Sequence, residues 1–370
     1  MTTPGYFHRR LSDQNSRPDG LAAIADFPKN ALIELTNGCN HACIFCKNSD
    51  QARRHTHLPL EIFRDFVEQA VELGLREVGL YATGEPFMTK NLEDYVAAAK
   101  GLGIERIYLT SNGALASQER VQKCVEAGLD SIKFSINAAN RRDYRAVHGF
   151  DDFETVMANV RAINRWRKDE GIALQMLASC VCIPSLPDLK DEHRKVFSEY
   201  FDDILYVNAG SQGGQSFELA IPEAWKRPVF GNIGKEVATE KIKPCAMLWN
   251  RYHLTAEGYL SGCCVDYDLD LVFGDFKKDK LRTLWNNRLI AGLRQKHLDR
   301  ALEGTICDQC MHNRPAPYQP LLEVESRRKS QVVRQRESAK LAARFSAIGD
   351  PLEMDDPTEE QEMDAVRAIS

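Results

Sequence analysis

The stretch "ALIELTNGCNHACIFC", residues 31–46, joins a short apolar run to three closely spaced cysteines. Its first five residues have the length and apolar character of a buried strand. Cys39, Cys43 and Cys46, which we call the first cysteine group, follow directly in the spacing CxxxCxxC, with no fourth cysteine nearby in the sequence. These thiols therefore lie on a loop after the first strand and suit a partner that needs only three protein ligands.

Short β-rich runs alternate with amphipathic helical stretches from about residue 31 to residue 207. In the first helical stretch, Leu60, Phe63 and Val67 recur at three- and four-residue spacing, which is typical of a helix packed on a sheet. Six strand-helix units of this kind predict a parallel sheet with right-handed crossovers. We therefore predict an α/β fold, a partial (β/α)6 TIM-like barrel with its active site at the carboxyl ends of the strands.

Two further segments follow the predicted barrel. Residues 208–244, with "NAGSQGGQSF" and several prolines, are typical of a connecting loop, and its length would let it reach over the barrel mouth. "RYHLTAEGYLSGCCV", residues 251–265, predicts two strands joined by a Glu-Gly turn. "LRTLWNNRLIAGLRQKHL", residues 281–298, predicts one helix ahead of "CDQC".

The chain divides into five predicted parts. These are an N-terminal extension (1–30), the barrel (31–207), the connecting loop (208–244), a cysteine-bearing domain (245–318) and a C-terminal segment (319–370). In the last part, a block rich in Lys and Arg precedes an acidic block. Such opposed blocks predict a solvated helix followed by a disordered acidic tail.

Composition and charge limit the function classes. The net charge of -5 gives no electrostatic reason to expect nucleic acid, which calls for a basic footprint. The N-terminus lacks the apolar core of a secretory signal, and no run of 18 apolar residues occurs, so we expect a cytoplasmic protein without a membrane partner. Disulfides are rare in that compartment, so the clustering of several of the 11 cysteines indicates metal binding or catalysis.

A zinc ion does not suit the first cysteine group, because a structural zinc site closes with four ligands in a local fold. His41 lies inside the loop, but its side chain would compete sterically with the flanking cysteines for one metal. A 4Fe-4S cluster accepts three cysteines when its fourth iron is kept for a ligand that is not protein. The group therefore favours a 4Fe-4S cluster.

A CxxxCxxC motif after the first strand of a βα barrel resembles that of the radical S-adenosylmethionine (AdoMet) enzymes. In that family AdoMet chelates the free iron, so the resemblance implies AdoMet and a 4Fe-4S cluster as cofactors. Three later strand ends carry similar motifs: "YATGEPF" at 81–87, "TSNG" at 110–113 and "FSIN" at 134–137. The resemblance covers about half of the chain.

The resemblance also implies which residues meet AdoMet. It places Phe45, the residue before the third cysteine, near the adenine. "YATGEPF" resembles the GGEP motif of the family, and this implies that Gly84 and Glu85 bind the ammonium group of AdoMet. Thr83 stands in place of the first glycine of that motif, and its backbone carbonyl remains available.

The third and fourth strand ends resemble the positions where the family meets the ribose and carboxylate of AdoMet. This implies contacts from Asn112 and Ser135. The family often has an arginine about thirteen residues after the serine to pair with the carboxylate. This chain has His148 at that place and Arg145 nearby.

Four later cysteines form what we call the second cysteine group: Cys245, Cys263, Cys307 and Cys310. The first two, with Gly258 between them, resemble the opening of the SPASM and twitch extensions of this family. Four cysteines imply the shorter, twitch type with one auxiliary 4Fe-4S cluster. Zinc remains an alternative, although zinc ribbons usually present two tight pairs. Cys264 is expected to face the other way on a regular strand and to be spare.

These expectations lead to a radical AdoMet dehydrogenase that acts on a small polar molecule, such as a sugar or aminocyclitol derivative. A cluster with four cysteine ligands has no iron free for substrate, which favours electron transfer and net oxidation. The small-molecule substrate and an external reductant, such as flavodoxin or ferredoxin, are the predicted partners.

Three other functions remain open from the sequence. One is modification of a ribosomal peptide, for which the short N-terminal extension leaves little room for a leader-binding module. Another is epimerisation with Cys182 as the hydrogen donor, because Cys180 and Cys182 share one face of a predicted strand. Packing of these two thiols in the core is the alternative for that pair. The last is a non-enzymatic iron-sulfur or zinc protein.

Overall fold

The computed structural model of the chain describes residues 20–219 and 223–324. In this part of the chain one sheet contains nine strands in the order β6-β5-β4-β3-β2-β1-β7-β8-β9. The strands are β1 (Asn30–Ile33), β2 (Glu77–Gly79), β3 (Arg106–Ser111), β4 (Ser131–Ser135), β5 (Gln175–Cys182), β6 (Asp203–Asn208), β7 (Arg251–Leu254), β8 (Tyr259–Ser261) and β9 (Val272–Asp275).

Helices connect and cover these strands. The α-helices are α1 (Leu60–Glu72), α2 (Leu92–Gly101), α3 (Gln118–Glu126), α4 (Arg141–His148), α5 (Phe153–Asp169), α6 (Leu189–Phe197), α7 (Glu223–Phe230), α8 (Met247–Asn250), α9 (Leu281–Leu284), α10 (Arg288–Asp299) and α11 (Ile306–His312). Short 3-10 helices span Lys47–Asp50, Pro86–Met88, Gln212–Glu218 and Thr239–Lys241. No helix among the described residues is both long and apolar enough to cross a membrane.

The predicted partial barrel is confirmed. Strands β1 to β6 follow one another in chain order, and every neighbouring pair is parallel. The apolar spacing in helix α1 predicted a face packed on the sheet, and Phe63, Phe66 and Val67 on this helix are fully buried. The helix ends before Gly74, whose φ of +102° is open to glycine at no steric cost. All carboxyl ends of β1 to β6 therefore meet at one edge of the sheet.

The sheet does not stop at the barrel. Strand β7 pairs in parallel with β1, from Asn30 opposite Arg251 to Ile33 opposite Leu254. The predicted β7-β8 hairpin is confirmed as an antiparallel pair, and β9, which the sequence did not indicate, extends it. The cysteine-bearing region is thus joined to the barrel by backbone hydrogen bonds.

Two local predictions were wrong. The single helix expected over residues 281–298 divides into α9 and α10, because the Asn287 side chain accepts hydrogen bonds from the amides of Leu289 and Ile290 and starts a new helix. The connecting segment was expected to be a loop, but it contains α7 and the 3-10 helix Gln212–Glu218. The predicted C-terminal helix and acidic tail fall on residues 325–370, outside the described part.

Candidate active site at the carboxyl ends of the barrel strands

The loop after β1 is fixed by the end of helix α4. The amide of Ala42 donates to the carbonyl of His148 at 3.1 Å, and the amide of Ile44 donates to that of Val147 at 2.9 Å. A turn from the Cys46 amide to the Cys43 carbonyl, at 3.0 Å, brings these two cysteines onto adjacent positions. The three thiols are therefore presented by a braced backbone at the edge where the strands end.

Each thiol of the first cysteine group has a polar hydrogen donor beside it. Cys39 Sγ lies 3.5 Å from the His41 amide. Cys43 Sγ lies 3.5 Å from His148 Nδ1, and Cys46 Sγ lies 3.4 Å from the Tyr267 hydroxyl. N–H and O–H groups beside cysteine sulfurs are the outer partners that iron-sulfur clusters use.

Burial raises the pKa of the Cys39 thiol to about 12 and also raises that of Cys46. Buried thiols with such pKa values stay protonated at neutral pH unless a metal takes the place of the proton. Within residues 20–219 and 223–324, no three His, Cys, Asp or Glu side chains are placed for a single metal ion, whereas a 4Fe-4S cluster takes each thiolate at a separate iron. The donor set and its surroundings fit a cluster.

The surroundings of His148 differ from those expected of a partner for the AdoMet carboxylate. Its Nε2 lies 3.0 Å from the backbone amide of Asn137, which can only donate, so the ring proton is on Nδ1, the atom that faces Cys43. Burial, with a contribution from His41, lowers the pKa of His148 well below its usual value. The ring also stacks on Tyr144 with centroids 4.1 Å apart. A neutral ring held in this way offers no cation to a carboxylate, and instead contacts a cysteine.

Gly84 lies where only glycine fits. A Cβ atom at this position would be 2.1 Å from the carbonyl oxygen of Thr36 and 2.6 Å from that of Gly38. The end of β2 therefore packs directly on the backbone of the cysteine loop. The carbonyl of Thr83, which the sequence left available, accepts a hydrogen bond from Asn48 Nδ2 at 2.7 Å.

Glu85 is buried and joins the ends of β2 and β3. Its carboxylate accepts from the Phe87 amide at 3.0 Å, the Ser111 hydroxyl at 2.8 Å and the Asn112 amide at 2.8 Å. Burial raises the pKa of Glu85 from 4.5 to about 7, against the opposing effect of these three hydrogen bonds. Three donors leave this carboxylate with capacity for one more.

The other residues implied to contact AdoMet, Asn112, Ser135 and Phe45, also lie near the carboxyl ends of the strands, and each has different neighbours. Asn112 Nδ2 donates to Asn40 Oδ1 at 2.8 Å and lies 3.9 Å from Cys39 Sγ. Ser135 Oγ lies 3.4 Å from Ser179 Oγ of the next strand. Phe45 is buried in an apolar cluster with residues of the connecting segment, including Phe230.

The tentative hydrogen donor Cys182 lies on the other face of strand β5. Cys180 and Cys182 pack in an apolar cluster with Leu189 of helix α6, whereas Ser179 on the alternate face meets Ser135. Residues two apart on a strand share a face, so both thiols point towards the helix layer. This placement does not favour Cys182 as a hydrogen donor at the strand ends, and that role stays a prediction.

The second cysteine group is assembled from separate elements. Cys245 precedes α8, Cys263 follows β8, and Cys307 and Cys310 lie on α11. Burial raises the pKa of Cys307 well above its usual value, and the charges of Cys310 and Cys245 add to this increase. The thiols are therefore close enough to act on one another electrostatically.

Cys264 corrects another expectation. Strand β8 ends at Ser261, so the alternation of a regular strand does not extend to Cys263 and Cys264. Cys264 raises the pKa of the neighbouring Cys263 thiol well above its usual value, and Cys264 Sγ lies 3.7 Å from Met247 Sδ. Cys264 therefore stands beside the second cysteine group and does not face away from it.

Sequence reasoning missed the residues that join the two cysteine groups. Arg53 of the first loop is buried and pairs with Glu34 of the segment after β1 and with Glu257 of the β7-β8 turn. Tyr267, from beyond the second group's Cys263, reaches Cys46. The Gly213-Gly214 pair was a signal of close packing, but nothing in the sequence showed which elements it would pack against.

Comparisons with known proteins agree with this architecture. Residues 33–200 match the family model described as the Radical SAM superfamily, where SAM is S-adenosylmethionine, and residues 245–311 match the model of an iron-sulfur cluster-binding domain, SPASM. A probable GTP 3',8-cyclase of Saccharolobus solfataricus is 31% identical over 277 residues, which cover 67% of this chain and 88% of the relative.

Two solved structures share the fold. SuiB of Streptococcus suis bound to its precursor peptide SuiA gives a TM-score of 0.56 at 14% identity and covers 77% of this chain and 68% of that one. The enzyme anSMEcpe with bound AdoMet gives a TM-score of 0.51 at 14% identity, with coverage of 88% and 97%. At these identities the likeness concerns the fold alone.

Proposed function

Because the chain belongs to the radical SAM superfamily and contains an iron-sulfur cluster-binding domain, we propose that it is a radical AdoMet dehydrogenase of a small polar, sugar- or aminocyclitol-like molecule. Its cofactors are AdoMet and iron-sulfur clusters. When bound, AdoMet and the first cluster would supply a radical able to remove one hydrogen atom from the substrate, and the auxiliary cluster would offer a site for the electron that is left after a proton leaves. An external one-electron reductant such as flavodoxin or ferredoxin would supply the electron that AdoMet cleavage consumes.

Residues of the loops after β1 and β2 and of helix α4 hold and orient these groups in this proposal. Cys39, Cys43 and Cys46 are the three cluster ligands in this proposal. Gly84 brings the backbone of the β2 end against the cysteine loop, and the remaining acceptor capacity of Glu85 is available to the ammonium group of AdoMet. His148 orients Cys43 through its Nδ1 hydrogen and does not pair the AdoMet carboxylate.

The observation that carries oxidation is the make-up of the second cysteine group. Four partly buried thiols, Cys245, Cys263, Cys307 and Cys310, lie near one another and interact electrostatically. A twitch-type cluster with four thiolate ligands has no iron left to bind substrate, so its available role is to accept electrons. Epimerisation has less support, because Cys182 faces the helix layer.

Radical cyclisation of a purine nucleotide is the second candidate, and the relative of Saccharolobus solfataricus favours it. A triphosphate needs cations that are free to bind it. In the first loop Lys47 pairs with Asp50 at 2.8 Å, and Arg53 pairs with Glu34 and Glu257. Both cations of this loop therefore already have carboxylate partners, which gives the triphosphate less support.

The electron balance tests the proposal. With a sugar or aminocyclitol substrate, each turnover is expected to convert one AdoMet into 5'-deoxyadenosine and to give a product with two hydrogen atoms fewer. Deuterium at the attacked carbon is expected in the 5'-deoxyadenosine, measured by mass spectrometry. A product of unchanged oxidation level carrying solvent deuterium, or cyclisation of GTP, would overturn the dehydrogenase proposal.

The auxiliary cluster has its own test. Anaerobically reconstituted protein is expected to bind about eight irons, as two four-iron clusters. Cys264→Ser is the matched control and is expected to keep this number. Saturation at about four irons with one zinc would contradict the proposed cluster.

A further inference from the structure

Three polar residues connect the two cysteine groups. The Tyr267 hydroxyl lies 3.4 Å from Cys46 Sγ of the first group and donates to Gln212 Oε1 at 2.9 Å. Ser211, the residue before Gln212, places its Oγ 3.3 Å from Cys310 Sγ of the second group. We call Ser211, Gln212 and Tyr267 the thiol bridge, because they link a sulfur of one group to a sulfur of the other.

Tyr267 is placed by a tight turn. It is 4% exposed and follows Asp266, whose carboxylate accepts from the Ser261 hydroxyl at 2.7 Å. The same carboxylate accepts from the amides of Asp270 and Leu271 at 2.7 and 2.9 Å. Three hydrogen bonds to the Asp266 carboxylate thus fix the turn, and the ring has little freedom to leave Cys46.

The other end of the thiol bridge holds a backbone conformation that is rare without glycine. Gln212 has a φ of +51°, which is uncommon for a residue with a side chain. A Cβ atom at Gly213 would be 3.0 Å from Val265 Cγ2, and one at Gly214 would be 3.0 Å from the Cys310 amide nitrogen. The segment is therefore packed tightly on the residues that carry the second cysteine group.

The hydrogen atoms of the thiol bridge suit sulfurs that are metal ligands. A ligating thiolate carries no proton and can only accept. The Ser211 hydroxyl can donate to Cys310. The single hydroxyl proton of Tyr267 can point to Cys46 once the Gln212 amide turns its Nε2 hydrogens towards the tyrosine oxygen, because an amide offers an acceptor and a donor side.

We propose that the thiol bridge sets the reduction potentials of both clusters, with each hydroxyl acting on the cluster whose sulfur it touches. A hydrogen bond to a cluster sulfur stabilises the more negative, reduced state, so it raises the reduction potential. Tyr267, Gln212 and Ser211 are positioning residues in this proposal. It rests on the two-cluster assignment of the proposed function.

The experiment compares midpoint potentials in redox titrations followed by electron paramagnetic resonance. The cluster whose signal changes when AdoMet is added is the first cluster. In Tyr267→Phe the midpoint of the first cluster is expected to become more negative and that of the auxiliary cluster to stay unchanged. In Ser211→Ala the midpoint of the auxiliary cluster is expected to become more negative and that of the first cluster to stay unchanged. Tyr252→Phe is the control, because Tyr252 is fully buried and its hydroxyl has no hydrogen-bond partner among the described residues.

A second variant keeps the tyrosine. In Gln212→Glu the carboxylate can only accept, so it takes the Tyr267 proton away from Cys46, and the first midpoint is expected to shift in the direction seen for Tyr267→Phe. An unchanged first midpoint in the iron-loaded Tyr267→Phe protein overturns the proposal. If that variant does not load iron, Gln212→Glu decides by the same criterion. Failure of both to load, while Tyr252→Phe loads normally, also overturns it, since a tuning hydrogen bond is not needed for assembly.

The failure of this inference and that of the proposed function are distinguishable. Wild-type protein with about eight irons and unshifted midpoints in both variants would remove the thiol bridge and leave the dehydrogenase proposal standing. Wild-type protein without an auxiliary cluster would remove the dehydrogenase proposal, and the Tyr267→Phe titration would still report on the first cluster.

Discussion

The two cysteine groups are built in opposite ways. The first, Cys39 to Cys46, lies on one loop whose backbone is hydrogen-bonded to the end of α4. The second takes its thiols from before α8, after β8 and from α11. Closing long chain segments costs more entropy than forming a local loop. The first group can therefore form with the barrel, whereas the second forms only when the whole C-terminal region has folded.

The two cysteine groups also differ in the number of ligands that they offer to a four-iron cluster. Three ligands on a four-iron cluster reserve one iron for a small molecule, whereas four ligands close the cluster. The polar surroundings agree with this difference, because Glu85, Asn112 and Ser135 lie at the strand ends beside the first group. The second group has Gly214 packed against the backbone of Cys310, and Ser211 Oγ lies 3.3 Å from Cys310 Sγ.

The largest expected effect separates the groups directly. Replacing Cys39, Cys43 and Cys46 together by alanine is expected to abolish AdoMet cleavage and to leave about four irons. Replacing the four cysteines of the second group is expected to leave about four irons as well, with AdoMet cleavage retained and substrate oxidation lost. Iron content and 5'-deoxyadenosine release are the measurements. Loss of cleavage in the second protein, with AdoMet still bound, would mean that the groups do not act separately.

The salt bridge between the two regions is the next largest effect. Arg53 is buried against Glu34 and Glu257, so Arg53→Met leaves two carboxylates without their cation and is expected to cost about 3 to 5 kcal/mol of unfolding free energy. Arg141→Met removes a partly exposed ion pair with Asp151 and is expected to cost about 0 to 1 kcal/mol. Urea unfolding measures both. Equal losses in the two variants would show that the buried pair does not hold the regions together.

The same contrast explains what the sequence could predict. The helix faces, the strand ends and the CxxxCxxC loop are local patterns, and the structure confirms the barrel that they predicted. The pairing of β7 with β1 joins residues of very different sequence position, and the Tyr267 contact with Cys46 spans 221 residues. No local pattern reports such contacts. His148 shows a further limit, since its burial, which makes it neutral, depends on packing.

The pH dependence of stability tests the first site next. Burial raises the pKa of Glu85 from 4.5 to about 7, so the folded protein holds this proton more tightly than the unfolded chain does. The resulting stability is complete below pH 4.5 and is lost as the pH rises through about 7, by an upper limit of about 3 kcal/mol. In metal-free Glu85→Gln this contribution is expected to vanish.

The measurement is the unfolding free energy at pH 5 and pH 8 for each protein. Titration of Glu85 is expected to lower the unfolding free energy of wild type between pH 5 and pH 8. Glu85→Gln lacks this contribution, so its unfolding free energy is expected to fall less over the same range. The control is Glu119→Gln on the exposed side of α3. An identical difference in wild type and Glu85→Gln would show that this carboxyl does not titrate as its burial indicates.

The smallest expected effect tests whether the region of the second cysteine group unfolds separately from the barrel. Asn287 Oδ1 accepts from the amides of Leu289 and Ile290 at 3.0 and 3.2 Å, so Asn287→Ala removes the cap of α10 and is expected to cost about 1 kcal/mol. Helix α10 carries His297, whose Nδ1 accepts from the Cys245 amide at 3.4 Å. On gentle heating the variant is therefore expected to release the auxiliary iron earlier than wild type and to keep the first cluster, whereas exposed Arg288→Ala is expected to release both as wild type does. Simultaneous earlier loss of both clusters in Asn287→Ala would mean that the continuous sheet unfolds as one unit and that the two regions, although built differently, share one stability.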